Sequence, residues 1–88
     1  MNSFENAEAV TLDRAILQTV VYADVFDYPL YAAEIHRYLT GVHASLEAVA
    51  ERLECLVPAR LQRSGEAYFL PGRGEIVTRR AHREQIAR

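Results

Sequence analysis

An 88-residue chain has room for one domain with a modest core, because a chain of this size buries only about 60% of its unfolded surface. Half of the residues are apolar, a quarter are charged and the net charge is −2, which is ordinary for a soluble globular protein and far from a disordered chain. No apolar run approaches the roughly 20 residues that cross a bilayer, and Met1-Asn2-Ser3-Phe4-Glu5 lacks the basic, apolar start of a secretory signal, so a cytoplasmic protein without membrane contact is expected.

The first helix is predicted over Thr11–Val25, with Thr11 as N-cap and Asp13 in the first turn, where a negative charge complements the helix dipole, and residues 3–10 either extend it or fray. Leu12, Ile16, Val20 and Ala23 form one apolar face at helical spacing. Leu17 and Val21 lie on a second side, so this helix needs cover from two directions, the second supplied by the tail of the chain or by a partner. Phe26-Asp27-Tyr28-Pro29-Leu30 then breaks it, since Pro29 disfavours helical geometry at Tyr28. Asp24 and Asp27 read as a helix end and a turn residue rather than as paired catalytic carboxylates.

A second helix is expected over Ala32–Leu39, with Ala32, Ile35 and Leu39 inward, and Thr40-Gly41 ends it. A third follows almost at once. Ser45 is its N-cap, Glu47 sits in its first turn, and Leu46, Val49, Leu53 and Leu56 recur as one apolar stripe, the strongest periodic signal in the chain. Val57-Pro58 stops it. Ala59–Arg63 and Glu66–Leu70 flank Ser64-Gly65 and read as a β-hairpin with a two-residue turn. Pro71-Gly72-Arg73-Gly74 closes the hairpin, and Glu75–Arg88 has helical composition but a thin apolar face limited to Ile76, Val77, Ala81, Ile86 and Ala87.

Three helices followed by a hairpin are the layout of a winged helix-turn-helix: a mainly α fold with a small β-hairpin as the wing, over residues 1–74, and a C-terminal helix over 75–88. Such a domain is a reader or a docking surface. No nucleophile and base, phosphate-cradling glycine loop, or metal-ligand spacing is legible, with His36, His43 and His82 on separate elements and Cys55 alone inside a helix. Neither catalytic activity, nor a cofactor, nor a metal is expected of these residues.

The strings Ile16-Leu17-Gln18-Thr19-Val20-Val21-Tyr22-Ala23-Asp24-Val25-Phe26-Asp27-Tyr28-Pro29-Leu30, Glu34-Ile35-His36-Arg37-Tyr38-Leu39 and Tyr68-Phe69-Leu70-Pro71-Gly72-Arg73 carry a resemblance. Together they resemble the N-terminal region of bacterial nucleotidyltransferase-like proteins, in which a winged-helix segment precedes a transferase-type domain. The resemblance covers most of residues 12–88. Such transferases carry a Gly-Ser motif and an Asp-x-Asp pair that holds magnesium, and neither occurs here, so the resemblance implies the neighbour of a catalyst rather than the catalyst. Tyr31 departs from the pattern, standing where the family and many winged helices favour Thr or Ser as half of a capping box with a glutamate such as Glu34. The charged open end at Arg88 suggests that the chain continues.

Residues 1–59 carry nine acids against three arginines, a net −6, whereas residues 60–88 carry seven arginines against three acids, a net +4. A split of this kind marks either a nucleic-acid-binding face or a solvated helix whose acidic partners lie elsewhere. Two functions follow. In the first, the module binds double-stranded nucleic acid or regulates transcription through Arg60, Arg63 and Arg73 of the wing, with Arg52 and Ser45 on the third helix. Against it, that helix turns Glu47, Glu51 and Glu54 outward, each repelling phosphate by roughly 1 kcal/mol. In the second, the domain is a protein-interaction or homodimerisation module using the second side of the first helix and the tail helix, with no nucleic-acid binding. Arg79, Arg80, His82 and Arg83 read as the solvated face of that tail helix.

Overall fold

The computed structural model describes residues 3–87 as four helices and a small antiparallel sheet, an α+β architecture. The order is α1 (Ser3–Asp24), β1 (Leu30–Tyr31), α2 (Ala32–Tyr38), α3 (Leu46–Leu56), β2 (Gln62–Ser64), β3 (Ala67–Phe69) and α4 (Glu75–Ala87). No described helix is long and apolar enough to cross a membrane.

Leu12, Ile16 and Val20 of α1 meet Ile35 of α2 and Val49, Leu53 and Leu56 of α3, and Leu30, Leu61 and Tyr68 close the core from the sheet side. The apolar stripes expected of the first three helices are therefore the core. Leu46 is the exception: it occupies the first position of α3, where the core does not reach, and is exposed.

Residues 3–10 extend α1, so Thr11 lies inside the helix and is not its N-cap. The C-terminal end of α1 is a Schellman arrangement. Tyr28 N–H donates to Ala23 C=O at 3.1 Å, Asp27 N–H donates to Asp24 C=O at 2.9 Å, and Asp27 takes the left-handed conformation at φ 55°. Glycine is the usual residue there because it has no Cβ. Aspartate is among the few alternatives, and its carboxylate is used elsewhere in the fold.

Two adjustments concern the sheet. β1, only two residues long and so without a readable alternation, pairs with β3 through Leu30 opposite Tyr68 and Tyr31 opposite Ala67. The sheet order is β1-β3-β2, which leaves β3 central with all three residues buried. The hairpin turn is Gly65-Glu66 rather than Ser64-Gly65, because Ser64 pairs with Ala67. Gly65 at φ 60° occupies the first central position, the place where a type II′ turn requires glycine.

The α2–α3 connection is one residue longer than expected, since α2 ends at Tyr38, and is held from within. His36 Nε2–H donates to Ala44 C=O at 2.8 Å, tying the connection back to α2. Ser45 Oγ accepts Ala48 N–H at 3.0 Å and starts α3. α2 starts without a hydroxyl cap, since Tyr31 is in that place. Glu34 Oε1 still accepts Tyr31 N–H at 2.9 Å, so the glutamate half of the capping box is present.

Candidate functional site

The arginines that sequence patterning offers to a nucleic acid divide into two groups. Arg52 is half-buried and points across to α1, where its Nε and Nη2 donate to the two carboxylate oxygens of Asp13 at 2.8 and 2.9 Å. The hydrogen bond to Asp13 holds the guanidinium above its ordinary pKa, despite opposing burial. Arg73 is gathered by three carboxylates: Nε donates to Asp24 at 2.9 Å, Nη1 to Glu75 at 2.9 Å, and Nη2 to Asp27. Both forks are filled from within the chain. Ser45 spends its hydroxyl oxygen on the cap of α3. Arg60 and Arg63 are exposed, and their guanidinium groups have no ion-pair partner among the described residues.

The tail helix departs most from expectation. Arg80, expected on a solvated face, is 7% exposed and is the one buried charged side chain among the described residues. Its guanidinium lies 3.9 Å from the ring centroid of Tyr31 and 4.5 Å from that of Tyr28. Nη1 donates to Pro29 C=O at 2.6 Å and to Glu34 Oε1 at 2.7 Å, Nη2 donates to Glu34 Oε2 at 3.1 Å, and Nε donates to Glu84 at 2.8 Å. Burial works against this charge. The hydrogen bonds to Glu34 and Glu84 outweigh it and hold the guanidinium above its ordinary pKa. On the other side of the pair, burial raises the Glu34 carboxyl, but hydrogen bonds from Arg80 and the Tyr31 N–H lower it more, so the net shift is downward. Arg79 Nη1 donates to Asp27 at 2.9 Å, one turn-residue away.

The charge split along the sequence thus closes inside the domain: Asp24, Asp27 and Glu34 from the acidic part receive Arg73, Arg79 and Arg80 from the basic part. The signal was present in the sequence as the split itself. Its direction was not, because helical spacing on an 88-residue chain says nothing of which turn a tail helix meets.

A second feature lies on α1. Val10, Val21, Tyr22 and Val25 are 49–74% exposed, and with Leu17 and Arg60 they border a groove of about 720 Å³. A neighbouring groove of about 700 Å³ runs between the end of α1 and α2, lined by Tyr22, Phe26, Tyr28 and Tyr38. α4 meets the loop after α1 instead of this face. The second side of α1 therefore stays open, while Asp13 and Asp24 of the same helix are held by Arg52 and Arg73.

On the outer side of α3, Glu47, Glu51 and Glu54 are exposed together with Cys55. The described residues contain no group of His, Cys, Asp and Glu side chains able to hold a metal ion. Comparison with protein-family models, curated proteins and solved structures finds no match for this chain.

Proposed function

We propose that this domain is a non-catalytic winged helix-turn-helix, of the kind that precedes the transferase-type domain in bacterial nucleotidyltransferase-like proteins, and that it works as a protein-association module. The element order, with β1 placed between α1 and α2 and a sheet ordered β1-β3-β2, supports the winged-helix reading over residues 1–74, with α4 as the exit helix. The string resemblance around Phe26–Leu30 supports the family.

The exposed apolar face of α1 carries the association reading. Four aliphatic and aromatic side chains at helical spacing lie open beside a groove, whereas a monomer gains stability by covering such a surface. A second copy is the occupant proposed, because one helix face laid antiparallel on its twin is self-complementary about a two-fold axis. The fork geometry points the same way. With Arg52 and Arg73 neutralised, α3 offers a duplex three glutamates and no basic side chain.

One observation favours a second reading, duplex nucleic-acid binding: the guanidinium groups of Arg60 and Arg63 remain free for phosphate. The test is solution mass against protein concentration, run beside a titration of duplex DNA at low and high salt. Self-association without salt-sensitive DNA binding is expected. DNA binding by a monomer, falling steeply with salt and abolished by Arg60→Glu with Arg63→Glu, assigns the function to the second reading.

A further inference from the structure

We propose that Tyr28, Tyr31, Glu34 and the Pro29 carbonyl form a guanidinium-binding cage in their own right, occupied in cis by Arg80 and able to accept the same arginine from the tail helix of a second copy. This goes beyond association through α1 and does not depend on it.

The cage is built on residues that are anchored by contacts other than those to its occupant. Glu34 is anchored by the Tyr31 N–H at 2.9 Å, Tyr31 is paired to Ala67 in the sheet, and Pro29 and Leu30 are buried. Its chemistry suits a planar cation and little else. Two aromatic rings offer π faces, a carboxylate meets two guanidinium nitrogens, and a carbonyl takes a further N–H. An ammonium would fill the charge but could not engage both carboxylate oxygens in one plane.

The occupant, in contrast, sits on the most weakly attached helix. Among the described side chains of α4, Ile76 is the single buried apolar one, and the helix is otherwise held to the body by the ion pairs of Arg79 and Arg80 and by the seat of the Arg80 guanidinium on the two rings and the Pro29 carbonyl. A helix whose attachment rests so largely on one guanidinium lifts at lower cost than the sheet-anchored cage unfolds. Asp27 and Glu34, which receive Arg79 and Arg80 of α4 in cis, then face the basic α4 of another copy with the same complementarity.

The experiment uses the full chain carrying Arg80→Ala, titrated into a fluorescent peptide of residues 75–88 and into the same peptide with Arg80→Ala. The vacated cage is expected to bind the unaltered peptide about ten-fold more tightly than the altered one, while the wild-type chain, its cage filled, binds the unaltered peptide more weakly than the variant does. A second variant, Arg80→Lys, keeps a cation beside Glu34 and guards against loss of fold; it too should take up the unaltered peptide in preference. Equal binding of both peptides, or no binding to either folded variant, overturns the proposal.

Discussion

Arg52 and Asp13 form a two-pronged ion pair that ties the middle of α3 to the first half of the described α1 core face, with N–O distances of 2.8 and 2.9 Å. Arg52 is the sole basic residue of α3, so the pair has two effects at once: it crosslinks two core helices and removes the only cation from an otherwise acidic helix. Replacing either partner by alanine is expected to lower stability by roughly 1 kcal/mol, with a comparable coupling energy in the double-mutant cycle. Urea unfolding of the four proteins measures it, and additive single-mutant effects would show that the pair contributes nothing.

Leu53 lies at the centre of the core with no exposed surface. Leu53→Ala is expected to cost about 2–5 kcal/mol, a large share of the stability of so small a domain. The exposed Leu46, one position into the same helix, should lose well under half as much on the same change. Thermal and urea unfolding of the two variants gives the comparison.

Glu34 links stability to pH. Its folded pKa lies below the ordinary value of 4.5, so the folded state binds its proton less readily than the unfolded chain does. The resulting stabilisation is complete above the unfolded value and is lost as the pH falls through the folded one. Between pH 7 and roughly 3 the wild-type chain should therefore lose more stability than Glu34→Gln, whose side chain does not titrate. Parallel curves for the two proteins would show that Glu34 does not link stability to pH.

Asp27 combines a left-handed backbone with contacts to Arg73 and Arg79. Asp27→Gly relieves the backbone and loses the contacts, whereas Asp27→Ala loses the contacts and keeps the unfavourable φ. The alanine variant is expected to be the less stable by about 1 kcal/mol, read from denaturant midpoints. Equal midpoints would mean that the turn can change its conformation.

The helical core was legible because its signals are local: the stripe of Val49, Leu53 and Leu56 and the cap at Ser45 are set by spacing within α3 itself. The hairpin was legible to within one residue, Gly65 marking the turn but not its register. β1 was not, since two residues carry no alternation and their pairing with β3 spans 36 to 38 positions of sequence. Burial of Arg80 also escaped the pattern. An arginine surrounded by Arg79, His82 and Arg83 has every mark of a solvated residue, and only the tertiary meeting of α4 with Tyr28, Tyr31 and Glu34 inverts it. For the candidate interface, Arg52 and Arg73 were visible as cations but not as partners of Asp13 and Asp24, because ion pairs across 39 and 49 residues leave no local trace.

Sedimentation equilibrium of the wild-type chain beside Val21→Glu with Val25→Glu reads association through α1. Both positions are exposed, so the change should leave the fold intact. A wild-type mass rising toward twice the 10.0 kDa of one chain as concentration increases is expected, with a variant that stays at the single-chain mass. A wild-type chain that remains monomeric throughout, or a variant that associates as readily as the wild type, rules out association through this face.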